Sequence, residues 1–169
     1  DGTTVSMPDT TANQARFPQS GEQQPGLGFP LARLVALVSL STGAVLGWAS
    51  GPCKGKQTSE MALLWRLAGQ LKRGDVMIAD RFYASYLMLA HLRSLGVDVV
   101  MRQHQRRRTD FRRGQRLGKG DHVVCWARPK RPPWMSLQEY DAIPETMRVR
   151  ETRHGCWIIV TTMLDVQEL

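Results

Sequence analysis

Asp75-Val76-Met77-Ile78-Ala79-Asp80-Arg81-Phe82-Tyr83-Ala84-Ser85 is the stretch on which the fold turns. Four apolar residues, Val76–Ala79, stop abruptly at a carboxylate, Asp80, and a guanidinium, Arg81. An unbroken apolar run between helical segments is the pattern of a strand buried on both faces of an α/β sheet. The carboxyl ends of such strands are where open α/β sheets carry their chemistry. Asp80 is therefore either a cap for the helix that follows or a carboxylate exposed enough to react and held rigidly enough to be aimed.

Downstream, residues 84–95 read as a helix stopped by Gly96, and residues 97–101 as a second strand. Strand, helix and strand at this spacing form a parallel crossover unit. His91 on that helix has no partner nearby in sequence and reads as structural. Upstream, Thr58 or Ser59 caps a helix with Glu60 in its first turn, where the helix dipole favours a carboxylate. Met61, Leu64, Trp65, Ala68 and Leu71 share one face of it and read as core, and Gly74 ends it. The loop before it, Gly51-Pro52-Cys53-Lys54-Gly55-Lys56, lacks the GxxxxGK[ST] pattern of a phosphate-binding loop.

Residues 31–40 and 44–49 are rich in branched apolar side chains and flank Ser41-Thr42-Gly43, a hairpin pattern. Residues 1–7 are β-prone and end at Pro8. Residues 8–30, rich in Gln, Gly, Pro, Ser and Thr, read as a long loop. The order is thus three strands, helix, strand, helix, strand. A meander followed by parallel strands with covering helices predicts an α/β, ribonuclease H-like mixed sheet. In that topology the first and fourth strands are neighbours, and Asp1 and Asp80 face one another.

Beyond residue 101 the composition changes. Arg102, Arg106, Arg107, Arg108, Arg112, Arg113, Arg116, Lys119, Arg128, Lys130 and Arg131 stand against only Asp110 and Asp121. They are nearly half of the 23 Lys and Arg residues of a 169-residue chain with a net charge of +8. One-signed charge at this density points to a polyanion, and each neutralised phosphate of a nucleic acid releases counterions. Residues 122–127, 147–153 and 156–164 read as strands of a β-rich insertion. The expected division is a core over residues 1–101 and a basic insertion subdomain over 102–169. Trp126 reads as core, while Trp134 is open between core and a platform for an unpaired base.

Cys53, Cys125 and Cys156 show no metal-ligand spacing, and their odd number argues against a disulfide framework. Arg33, Ser39, Ser41 and Gly43 interrupt the apolar run from residue 31 to 48, which argues against a membrane span. With no initiator Met and no signal peptide, the chain reads as a piece of a longer protein.

Asp1-Gly2-Thr3, Ala79-Asp80-Arg81-Phe82-Tyr83, Leu117-Gly118-Lys119-Gly120-Asp121 and Lys130-Arg131-Pro132-Pro133-Trp134, in this order, resemble the catalytic domain of bacterial insertion-sequence DDE transposases, the group with a β-strand insertion. The resemblance covers essentially the whole chain. It implies that Asp1 and Asp80 are the first two acids of a catalytic triad and metal ligands, and that Arg81 matches the Arg following the second acid. It also implies two Mg²⁺ (or Mn²⁺) ions in the complete site, DNA (transposon ends and target) as substrate, a homodimer in the synaptic complex, and a cytoplasmic, nucleoid-associated location without a membrane.

The family's third acid is a Glu within a Y-x2-R-x3-E-x6-K signature, and no such signature occurs before Leu169. Glu139, Glu145, Glu151 and Glu168 lie outside that context. The full-length parent is thus expected to cleave and rejoin DNA, and this piece to be inactive. The expected DNA-binding set is Arg81, Arg102, Arg106, Arg107, Arg108, Arg112, Arg113, Arg116, Lys119, Lys130, Arg131 and Trp134. A non-catalytic DNA-binding remnant of a decayed element is the alternative, and a structure-selective nuclease on the same fold a third reading.

Overall fold

The computed structural model describes residues 2–55, 58–133 and 135–165, so Asp1, Trp134 and Glu168 lie outside the described residues. Two units, Asp1–Gln70 and Leu71–Leu169, each have their own contacts.

The first unit is an antiparallel meander of Gly2–Ser6 (β1), Leu31–Val38 (β2) and Val45–Pro52 (β3). The segment between β1 and β2, expected as loop, contains a short helix, Thr11–Arg16 (α1), whose Thr10 side chain accepts from the Asn13 N–H. None of its residues is buried, so it lacks the apolar spacing by which a helix is recognised in sequence. Glu60–Leu67 (α2) is capped by Ser59, which accepts from the Ala62 N–H, and has Glu60 in its first turn. It packs on β2 and β3 and buries Leu63, Leu64 and Leu67. The helix gives way to a single 3-10 turn at Ala68–Gln70, so it stops short of the expected end at Gly74.

The second unit is a six-stranded mixed sheet. Its elements are Val76–Ala79 (β4), Tyr86–Ser94 (α2's successor, α3), Asp98–Arg102 (β5), Gln115–Gly118 (β6), Asp121–Ala127 (β7), Leu137–Asp141 (α4), Thr146–His154 (β8) and Trp157–Thr161 (β9). The strand order is β4-β5-β9-β8-β7-β6. β4 and β5 are parallel across α3, as the crossover pattern predicts, and every other pairing in this sheet is antiparallel. β5 pairs with β9, so strands from beyond Arg102 continue the sheet that β4 and β5 begin.

Two details of β4 depart from the sequence reading. Met77 is buried, but Val76 is 47% exposed and Ile78 61%, because only the face of β4 carrying Met77 is covered. In the ladders of the described residues β1 pairs with β2 and β4 with β5, so the expected neighbourhood of the first and fourth strands is not among them.

The core of the second unit lies on the face shared by Val99, Met101, Val149 and Val160, each at most 1% exposed. α3 packs on β5 and contributes Met88, Leu89 and Leu92. The turn before β4 is tied to the turn after α3 by the Gly74 N–H donating to the Gly96 carbonyl at 2.9 Å, with both glycines at positive φ. Leu92 is fully buried, so Leu92→Ala leaves a cavity and is expected to cost about 2–5 kcal/mol. A urea melt read by far-UV circular dichroism checks this.

Candidate functional site

Asp80 is the first residue after β4. Its Oδ1 accepts from the Phe82 N–H at 2.6 Å, a local turn that fixes the carboxylate on the chain. The cap of α3 is Ser85, whose hydroxyl accepts from the Met88 N–H, so Asp80 has no capping role. The carboxylate is exposed and forms no ion pair with a cation among the described residues. Arg81 beside it is exposed, while Tyr83 behind it is buried with its ring edge-to-face against Phe82 at 5.7 Å. A buried aromatic anchor on one side and a strand on the other hold this exposed carboxylate at the carboxyl end of β4.

Among the described residues no three His, Cys, Asp or Glu side chains converge as a ligand set. The glutamates left aside by the sequence are accounted for by their contacts. Glu139 closes a capping box with Ser136 at the start of α4, and those hydrogen bonds hold its carboxyl below the usual range. Glu145 is 4.0 Å from Arg128 and exposed. Glu151 is buried and accepts from the Trp126 indole N–H at 2.8 Å, with the His122 Nε2 3.1 Å from its other oxygen.

The basic segment is ordered by its own chemistry. Asp110 receives the Arg112 guanidinium on both oxygens, at 2.8 and 3.1 Å, and Arg113 lies 3.6 Å away. These hydrogen bonds hold the Asp110 carboxyl down to about 2. Arg107 is half-buried with its guanidinium 3.6 Å from the centre of the Trp126 ring, and burial lowers its pKa against the opposing pull of Glu151. Arg128 stacks on Tyr140 and donates to the Tyr140 and Ile143 carbonyls, so it serves the C-terminus of α4. Arg102 stacks over the Trp157 ring at 5.0 Å, and Arg131 donates to the Met135 carbonyl. Arg106, Arg108, Arg116, Lys119 and Lys130 are exposed. Trp126 is core, 3% exposed, as its sequence context suggests.

Sequence reasoning set Glu151 aside as a third acid and did not pair it with His122. They lie 29 residues apart and face each other only through the β7–β8 register. Alternation within each strand was the available signal, and it does not reveal which residues pair across strands.

The transposase DDE domain family model matches residues 1–162, and the chain belongs to that family. No curated protein and no solved structure matches it. Membership makes the parent class DNA-cleaving transposases, which use divalent metal ions. No described helix is long and apolar enough to cross a membrane.

The Asp110 cluster yields a titration test. Its folded pKa lies below the ordinary value, so the pair's contribution is present above about pH 4 and fades as pH falls toward 2. Arg112→Ala removes the principal donor, and the Asp110 carboxyl is then expected to titrate nearer to 3.8, as read by carboxyl carbon NMR.

Proposed function

We propose that the chain is the catalytic core of a DNA transposase that cleaves and joins DNA strands at insertion-sequence ends, with Asp1 and Asp80 as metal-binding acids. The observation that carries this reading is Asp80 itself, an exposed carboxylate without a counter-ion among the described residues, at the carboxyl end of a parallel strand in a transposase DDE domain. As a carboxyl oxygen donor it fits Mg²⁺ or Mn²⁺. When bound, such ions activate the incoming oxygen and stabilise the leaving oxygen of an in-line displacement at phosphorus. Within this scheme the turn to the Phe82 N–H holds Asp80 in place, and Arg81 supplies positive charge for a neighbouring phosphate. None of Glu139, Glu145 and Glu151 is proposed as a third acid, given the contacts each makes.

A ribonuclease H-like arrangement is part of the proposal. The segment 102–169 is the proposed insertion, and its exposed Arg106, Arg108, Arg116, Lys119 and Lys130 are proposed phosphate contacts.

Two measurements test this. Mn²⁺ binding by the wild-type chain, followed by electron paramagnetic resonance, is expected to be weak and to disappear in Asp80→Asn; identical binding by the variant would overturn the assignment of Asp80. Affinity for duplex DNA is expected to fall steeply with salt, and Arg108→Ala to lower the slope of log K against log salt by about one. A flat salt dependence would sink the basic interface.

A further inference from the structure

Residues 103–114 carry Arg106, Arg107, Arg108, Arg112 and Arg113, a density of like charge that by itself favours an extended, solvated chain. In the structure this loop is folded back onto β7 and β8 by contacts that have nothing to do with a ligand. Arg107 stacks on Trp126. The Phe111 ring lies 4.8 Å from the His122 ring, with Arg153 over its centroid at 5.0 Å. The His122 Nδ1 is 2.6 Å from the Arg113 carbonyl oxygen. At the exit of the loop Gly114 has a φ of +75°, and a Cβ there would collide with the Val123 carbonyl.

All but the last of these contacts lead to Glu151. A backbone carbonyl only accepts, so His122 must carry its proton on Nδ1 to bond Arg113, which leaves Nε2 to share a proton with Glu151. The second carboxylate oxygen takes the Trp126 indole N–H and so sets the ring on which Arg107 stacks. His122, Trp126 and Glu151 are 1%, 3% and 3% exposed, so none of them can touch a nucleic acid. Gln103 and Thr109 close the base of the loop through a 3.0 Å hydrogen bond, and Asp110 gathers Arg112 and Arg113.

We infer that Glu151, acting through His122 and Trp126, is a positioning residue that pins the 103–114 loop to the sheet and so presents Arg106, Arg108, Arg112 and Arg113 as a preformed surface for the DNA phosphate backbone. The inference rests on the DNA-binding reading above and adds the device that orders its principal loop. Ordering the loop before binding removes an entropic cost that a free arginine-rich segment meets on association.

The test turns on the sign of an effect. Removing a negative charge from a DNA-binding protein strengthens binding if electrostatics alone decide. A positioning role predicts the reverse for Glu151→Leu, whose affinity for a labelled duplex is expected to fall about fivefold to tenfold, a loss comparable to one lost phosphate contact. Glu151→Gln, which can still accept from the indole and hydrogen-bond to a neutral His122, is expected to recover most of that loss. Phe111→Ala loosens the loop from its own side without changing charge or the buried pair, and is expected to weaken binding to a similar extent.

Amide hydrogen exchange of residues 103–114 is measured on the same four proteins. Protection is expected in the wild type and in Glu151→Gln, and is expected to be lost in Glu151→Leu and Phe111→Ala while β4, α3 and β5 stay protected. Protection lost together with affinity supports the inference. Protection lost with affinity unchanged or raised overturns it while leaving DNA binding intact. Protection retained in both loosened variants overturns the clamp. A wild-type chain with a protected loop and no affinity for duplex overturns the DNA-binding reading, and the positioning role with it.

Discussion

One row of residues runs across five strands of the larger sheet: Ala79, Met101, Val160, Glu151 and His122, paired in turn by β4–β5, β5–β9, β9–β8 and β8–β7. Most of what the second unit does depends on that row. Its first residue precedes Asp80, its middle is the best-buried part of the core, and its far end is the polar pair beneath the arginine-rich loop. Four steps at about 4.8 Å each place the row's two ends roughly 19 Å apart on one rigid surface. The β5–β9 ladder is the joint that matters most, since it unites a parallel crossover with an antiparallel meander.

The chemistry changes along the row from apolar to polar. A carboxyl group removed from water needs a hydrogen-bond partner on each oxygen, and Glu151 finds them in an imidazole nitrogen and an indole N–H. Deleting one partner of a buried polar pair typically costs about 1–3 kcal/mol, because the survivor is left unsatisfied. Arg150, the next residue, faces the other side of β8 and forms a second, separate pair, with both nitrogens of its fork on Asp121 at 2.9 and 2.7 Å. That aspartate closes the Leu117-Gly118-Lys119-Gly120-Asp121 motif, so one residue of the motif has a clear structural task.

The arginines of the segment divide by partner. Arg107, Arg128 and Arg150 are tied into stacking, carbonyl or carboxylate contacts that hold the fold together. Arg106 and Arg108 are exposed, with side chains available to phosphate, while the Arg116 Nε donates to the Gly118 carbonyl at 3.3 Å. A composition count treats all of them alike, which is why the charge run points to a polyanion but not to the cations that would meet it.

The Val76–Ala79 strand, the helix after it, the next strand and the family resemblance were all legible in the sequence, because each rests on local patterning or on short motifs. Ser59 as a cap and Trp126 as core were legible for the same reason. β6, α1 and α4 were not, being short elements with little or no apolar periodicity. The exposure of Val76 and Ile78 was decided by cover on only one face of β4, the one carrying Met77, which no residue within the strand encodes. Likewise the meeting of His122 with Glu151, and the fold-back of the loop upon them, follows from cross-strand register. Sequence determined which residues carry charge and which of the apolar-patterned strands form; tertiary pairing alone decided which charges are buried together and which are left facing solvent.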